Sequence, residues 1–131
     1  MRKLLLLSAL LLFSYASKLH SQTQFEMTSD AAKSLQIADN KLNIAYKQLK
    51  VEYKDFPVFL QKLKSAQIQW IKYRDALIEM EFPSNQPRID YGSMYSMCEF
   101  YYTKRLTEER TKELTKKAHA SRYGPPMGPI S

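Results

Sequence analysis

Residues that support catalysis are few in this chain of 131 residues. The two histidines, His20 and His119, lie near the two ends of the chain, where neither is placed to act as the base for a serine or cysteine nucleophile. Asp75 and Glu79 stand one helical turn apart, and a glycosidase uses such a pair of carboxyl groups as acid and base. Nothing in the neighbouring sequence sets one apart from the other, so surface charge is the favoured interpretation. We expect a protein that is not an enzyme.

Cys98 is the only cysteine, and no group of cysteine and histidine has the spacing of a metal site. We expect no metal ion and no cofactor. A single cysteine cannot form an intramolecular disulfide. A reactive thiol and a bridge between two copies are open alternatives, but a small buried side chain is the favoured interpretation of Cys98. The fold must therefore depend on helix packing.

The first residues are typical of a secretory signal peptide. A positively charged start precedes an apolar run from Leu4 to Phe13, which is too short to span a bilayer and is followed by a polar segment. Small residues at Ala16 and Ser21 offer two cleavage positions, and we favour the one after Ser21. We therefore expect residues 1–21 to be removed, leaving a periplasmic or secreted protein without a transmembrane anchor.

The formal net charge is +7, and loss of the three basic residues before residue 22 leaves 17 basic against 13 acidic residues, or +4. An excess of this size in an exported protein does not favour a nucleic-acid partner. It leaves open an anionic membrane surface or another part of the cell envelope. The basic side chains available for such a surface are Lys104, Arg105, Lys112, Lys116 and Lys117.

A first helix is predicted between Thr28 and Tyr53, with Thr28 or Ser29 as its cap. Its apolar residues recur at alternating spacings of three and four, which indicates one stripe of an amphipathic helix. The stripe consists of Leu35, Ala38, Leu42, Ala45 and Leu49. A turn should follow, and the next helix should begin at Pro57, because proline suits the first turn of a helix but not its interior.

The second helix should run from about Pro57 to Met80, and residues 82–92 should form a loop, since they contain two prolines, a glycine and no helical period. The expected inward stripe of the second helix is Leu60, Leu63, Ala66, Trp70, Tyr73, Leu77 and Met80. Ordered loops of this length are often functional.

The third helix should extend from Ser93 to about Lys117, and residues 118–131 should be a disordered tail rich in proline and glycine. The residues expected to face inward are Met94, Met97 or Cys98, Tyr101, Leu106 and Leu114. Three long helices joined by a tight turn and a loop pack most simply as an antiparallel three-helix bundle. The predicted fold class is all-α, with one domain over residues 22–117.

The loop and the start of the third helix form the best candidate for a binding surface. Tyrosine and arginine are enriched at contact hot spots because they bury a large area while keeping a polar end. The candidate residues are Phe82, Arg88, Tyr91 and Tyr95, with Tyr101 as a further member. An equally favoured alternative is that these rings close one end of the bundle.

Three segments, residues 38–46, 66–76 and 106–114, read ADNKLNIAY, AQIQWIKYRDA and LTEERTKEL. In this order, and with Gly92 and Ser93 before the third helix, they resemble the lysozyme-inhibitor LprI-like family over roughly residues 23–115. The resemblance implies a lysozyme-type muramidase as partner and a binding or inhibitory role. Places where family members often carry cysteine hold Asp30, Ile78 and Tyr102 here. The disulfide support implied by the resemblance is therefore missing, and Ile78 should be buried instead.

Folding the chain back at its two connections brings the three segments to a similar height in the bundle. We expect a polar layer there in which Asp39 pairs with Arg74 or Arg110, and Gln67 bonds across while Trp70 fills the centre. The members of this layer are Asp39, Asn43, Gln67, Trp70, Arg74, Thr107 and Arg110. A structural network is the favoured interpretation of the layer, and a ligand site is the alternative.

The leading functional hypothesis is an exported module that binds and blocks a lysozyme-type muramidase. The alternative is a module that binds peptidoglycan or an anionic membrane surface. Common animal lysozymes are strongly basic, so a partner of charge +4 would be repelled at long range. Inhibition would then require local complementarity at the contact.

Overall fold

The structure is a computed structural model, which describes the backbone of residues 2–121 and the side chains of residues 22–120. The elements are α1 (Arg2–Glu52), α2 (Pro57–Glu81), α3 (Pro87–Asp90), a turn of 3-10 helix (Gly92–Met94) and α4 (Tyr95–Ser121). The described residues contain no strand, so the all-α prediction is confirmed. Within the described part of the chain, no helix combines the length and the apolar character needed to cross a membrane.

The three long helices form the expected bundle, in which α2 runs antiparallel to both α1 and α4. At one end Gln24 of α1 contacts Ser93, just before α4, and at the other end Leu49 of α1 lies in one cluster with Leu114 of α4. Helices α1 and α4 are therefore parallel and pack closely along their length, whereas α2 packs less closely on α4. We call the end near residues 53–56 the turn end, and residues 82–94 the connector.

Small residues explain the close approach of α1 and α4. Ala31, Ala38 and Ala45 repeat every seven residues and are 0%, 2% and 5% exposed. Opposite them α4 contributes the buried side chains of Thr103 and Thr107, which are also short. Side chains of this size bring two helix backbones together, as at other close helix contacts.

The hydrophobic core cluster lies toward the turn end and joins all three long helices. Its buried members are Leu42, Ala45, Leu49, Tyr53, Leu63, Leu114 and Ala118. The ring of Tyr53 stacks on that of Phe59 with centroids 4.0 Å apart, and Phe56 meets Tyr53 edge-on at 6.0 Å. Pro57 begins α2 as predicted. The turn is thus packed from both sides by aromatic rings.

The predicted helix cap at Thr28 or Ser29 is wrong, because α1 continues through both residues. The Thr28 hydroxyl donates to the carbonyl of Gln24 at 3.0 Å, which is the behaviour of a threonine inside a helix. No proline or glycine precedes Pro57, so nothing in the sequence breaks the helix there. Removal of residues 1–21 stays a prediction, and their side chains lie outside the described residues.

The connector is more regular than the predicted loop. Pro87 begins the single turn α3, and the carbonyl of Gln86 accepts from the backbone N–H groups of Ile89 at 2.9 Å and Asp90 at 3.0 Å. The Ser84 hydroxyl oxygen accepts from the N–H of Gln86 at 2.8 Å and holds the entry to this turn. The predicted loop was wrong here because a single helical turn has too few residues to show a period.

The other two inward stripes were predicted correctly in part, since Leu63, Leu106 and Leu114 are buried. On α2, Ala66, Tyr73 and Met80 are exposed, while Gln67 and Arg74 are half-buried. Met94 before α4, and Cys98 and Tyr101 in its first turns, are exposed, whereas Tyr95 and Thr103 are buried. The favoured interpretation of Cys98 as a buried side chain is therefore wrong. Ile78 is half-buried beside the connector.

The described helix α4 extends to Ser121, so the first residues of the predicted tail, 118–121, are helical. Residues 122–131 lie outside the described residues.

Candidate functional site

The connector presents three exposed side chains on a short, well-held turn. Arg88 and Ile89 belong to α3, where Ile89 is 74% exposed, and Tyr91 follows with 42% of its surface exposed. An isoleucine side chain that is exposed to this degree does not contribute to the hydrophobic core. The turn therefore carries a cation, an aliphatic group and a phenol toward the outside, which is a common composition at protein contacts.

Phe82 is the centre of the aromatic cluster below this turn. Its ring meets Tyr95 at 5.3 Å, Tyr91 at 5.9 Å and Tyr102 at 6.2 Å, in each case edge to face. Tyr91 and Tyr95 lie nearly parallel at 6.3 Å. Phe82 is half-buried and Tyr95 is 8% exposed, so these two rings close the end of the bundle and support the turn.

Gln24 of α1 also anchors the connector. The Ser93 hydroxyl donates to the Gln24 side-chain carbonyl at 3.2 Å, and the Gln24 amide contacts the sulfur of Met94. Gly92, between them and the turn, has φ of +66°, a conformation that glycine adopts without a steric penalty. The position of the turn is thus coupled to the packing of α1 on α4.

Two grooves flank the turn. One of about 340 Å³ lies beside Arg88 and Ile89. The other, of about 320 Å³, has an apolar floor that includes Ile78 and Phe82, and three carboxylates at its rim. We call it the carboxylate groove; its acidic residues are Asp75, Glu79 and Glu99.

Tyr95 contributes to both grooves. Burial, together with the negative charge of Glu99 and a hydrogen bond to its carboxylate, raises the pKa of the Tyr95 phenol above its ordinary value, while Arg88 acts in the opposite direction. The phenol therefore stays protonated at neutral pH and acts as a hydrogen-bond donor.

The predicted polar layer is centred on Trp70, which is half-buried between two guanidinium groups. Arg74 lies over its ring at 5.4 Å and Arg110 at 5.9 Å. The Nε of Arg110 donates to the side-chain Oε1 of Gln67 at 3.1 Å, which joins α4 to α2. Cation–π contacts of this kind stabilise by about 0.5–1 kcal/mol each at exposed sites.

The expected pairing of Asp39 with an arginine of this layer does not occur. Arg74 donates to the neighbouring Asp75 at 2.8 Å, and Arg110 donates to Glu113 at 2.9 Å. Asp39 is half-buried on α1. Each arginine finds a carboxylate on its own helix, which costs less side-chain ordering than a contact across the bundle.

The two remaining members of the predicted layer lie apart from it. Asn43 is exposed on α1. Thr107 is fully buried, and its hydroxyl has no hydrogen-bond partner among the described residues, although its carbonyl accepts from Thr111 at 2.8 Å. The layer is therefore a partly exposed group on α2 and α4, not a network spanning three helices.

We expect Arg74→Ala to lower the free energy of unfolding by about 1 kcal/mol, because the variant loses the contact with Trp70 and a pair with exposed Asp75. The Asp75 side chain is 54% exposed, so loss of Arg74 leaves no charge stranded in the interior. Lys72→Ala, an exposed change nearby, should alter stability by less than about 0.5 kcal/mol. Urea unfolding of both variants measures the difference. A stable Arg74→Ala variant that no longer bound any partner would instead make the layer a binding site.

Sequence reasoning missed several residues of the connector site. Ile89, Tyr102 and Glu99 were not selected as site residues, although Tyr102 follows Tyr95 by two helical turns and could have been found from that spacing. Glu79 was noted with Asp75 but was interpreted as surface charge. Ile89 and Glu99 gave no signal, since their importance depends on the path of the connector. Among the described residues, no three of the histidine, cysteine, aspartate and glutamate side chains are grouped as a metal ion would require.

A three-helix bundle with an aromatic and charged turn at one end places the chain in the class of small all-α proteins. The family model described as lysozyme inhibitor LprI matches residues 16–114, and the chain belongs to this family. No curated protein and no solved structure gave a match to the chain.

Proposed function

We propose that this protein is an exported inhibitor of a lysozyme-type muramidase and that the connector is its contact surface. The observation that carries the proposal is membership of the lysozyme inhibitor LprI family, over residues 16–114. Export is inferred from the leader-like first residues. The connector supports the choice of surface because it carries Arg88, Ile89 and Tyr91 outward on a turn fixed by Phe82 and Tyr95.

Each side chain of the turn has a distinct role in this proposal. Arg88 faces the acidic residues of the muramidase cleft, and Tyr91 and Ile89 pack on the walls that bind sugar. Phe82 and Tyr95 hold the turn in place from below. A preformed turn loses little conformational freedom on binding, which favours affinity.

The carboxylate groove provides the local complementarity that a basic muramidase requires. Asp75, Glu79 and Glu99 place negative charge beside the turn of a protein whose net charge is positive. Of the three, only Asp75 has an arginine partner among the described residues. The long-range field opposes association, and the groove favours it at short range.

We expect Arg88→Glu to weaken inhibition by about tenfold, because it replaces an attraction to the muramidase cleft with a repulsion. Lys64→Glu makes the same change of charge on an exposed position of α2 near the turn end and should inhibit like the unaltered protein. The measurement is the clearing of a bacterial wall suspension by several lysozyme classes, with each purified variant in excess.

Further readouts accompany this assay. The helical circular dichroism of both variants should be unchanged, and association should quicken with added salt as long-range repulsion is screened. Equal loss of inhibition in the two variants would mean that the connector is not the contact surface. Full clearing by every lysozyme class, with the protein sedimenting alongside the walls, would favour envelope binding instead.

The basic face proposed for that alternative is partly neutralised within α4. Lys104 pairs with Glu108 at 3.7 Å and Arg105 with Glu109 at 3.5 Å. These pairs reduce the positive charge that the face offers to an anionic surface. The inhibitor is therefore the preferred proposal.

A further inference from the structure

A third groove, of about 300 Å³, opens between α2 and α4 at the turn end. Leu49, Leu63 and Leu114 line its base and belong to the hydrophobic core cluster, with 1%, 7% and 4% of their surface exposed. Half-buried Phe59 and exposed Ala66 form the apolar wall that is open to solvent. We call this groove the turn-end groove. It lies at the opposite end of the bundle from the connector.

The rim of the turn-end groove is cationic. Lys62 and Lys117 are exposed on either side, and neither forms an ion pair within the described part of the chain. Arg110 also lines the groove, together with Glu113, and these two are paired with each other at 2.9 Å. The opposite charges of Arg110 and Glu113 cancel, so the ammonium groups of Lys62 and Lys117 make the rim positive.

We infer that the turn-end groove binds a single-chain anionic amphiphile of the fatty-acid class. An acyl chain packs against Phe59 and Ala66, and a carboxylate head lies between the two lysines, whose methylene stems extend the apolar wall. A second copy of this chain would bring two more lysines to the same rim and be repelled. This ligand goes beyond the proposed inhibition and does not depend on it.

Trp70 provides the readout, because it is the only tryptophan and packs against the same hydrophobic cluster. Arg110, which lines the groove, lies over its ring. Dodecanoate, titrated below its micelle concentration, should change the Trp70 fluorescence in a saturable way. Dodecyltrimethylammonium has the same chain with the opposite charge and should bind at least about tenfold more weakly. Hexanoate should also bind at least about tenfold more weakly, since it buries fewer methylenes.

The matched variants test the location. The double change Lys62→Glu and Lys117→Glu should weaken dodecanoate binding by about tenfold, because it reverses the charge of the rim. The control double change, Lys41→Glu and Lys72→Glu, alters net charge equally at exposed positions outside the groove and should bind normally. All four positions are exposed, so both proteins should fold.

Three outcomes would overturn the inference. Equal binding of the anionic and cationic amphiphiles would show a nonspecific apolar contact. Equal weakening in the two double variants would show a response to net charge alone. Binding to phosphatidylglycerol vesicles without binding to free dodecanoate would show a flat membrane contact and no groove ligand. Inhibition of muramidase is measured separately, and a lack of inhibition would not change the conclusion about dodecanoate binding.

Discussion

Tyr53→Ala should lower the free energy of unfolding by about 3–5 kcal/mol, the range found when a buried aromatic ring is removed. Tyr53 is 2% exposed, and its ring is stacked on Phe59 and met edge-on by Phe56. It lies where the turn joins α1 to α2, in the cluster that also includes Leu63 and Leu114. The change therefore removes contacts among all three long helices at once.

The matched control is Tyr73→Ala, because Tyr73 is 62% exposed on α2. This control should change stability by less than about 0.5 kcal/mol. Thermal unfolding followed by circular dichroism should show Tyr53→Ala melting roughly 12 °C or more below the unaltered protein, since 1 kcal/mol corresponds to about 4–8 °C in a small domain. Equal melting of the two variants would mean that the cluster at the turn end does not hold the bundle together.

The fold could be predicted from the sequence where periodicity and proline are strong. The stripe of Leu42, Ala45 and Leu49 is buried as expected, and α2 begins at Pro57. These features depend only on residues within a few helical turns, so they can be predicted from the local sequence. Family membership, suggested by the three segments, is confirmed by the match over residues 16–114.

The inward side of the first turns of α4 could not be predicted in the same way, although Leu106 and Leu114 further along are buried as expected. Met94, Cys98 and Tyr101 have as good a helical spacing as the residues that are inward in the structure. The choice is made by Phe82, which lies on the preceding connector and packs on Tyr95. A contact of this kind depends on the path of the connector, and nothing in the spacing of α4 encodes it.

The candidate site was only partly predictable for the same reason. Arg88 and Tyr91 could be selected by residue type and by their place in an irregular segment. The carboxylate groove combines Asp75 and Glu79 of α2 with Glu99 of α4. Only the crossing of the two helices brings these charges together. Likewise, the pairing of Arg74 depends on a rotamer choice between Asp75 and more distant carboxylates, which sequence position does not determine.

Ala38→Leu should destabilise the protein by about 1–3 kcal/mol, because the added methylenes have no space between α1 and α4. Ala38 is 2% exposed in the middle of the alanine repeat, where the two helices are in close contact. Gln36→Leu introduces the same side chain at an exposed position of α1 and should change stability by less than about 0.5 kcal/mol. Urea unfolding compares the two variants, and equal stability would mean that the helices are not held at close distance by small residues.

The same substitution tests how the bundle positions the connector. Gln24 of α1 is bonded to Ser93, so a wider separation of α1 and α4 would displace the turn α3 from its place above Phe82. If the proposed contact is right, Ala38→Leu should inhibit muramidase more weakly even at temperatures where it is fully folded. Tyr53→Ala, which acts at the turn end, should retain full inhibition when kept well below its melting temperature. Identical inhibition by folded samples of both variants would mean that the α1–α4 interface does not influence the contact with muramidase.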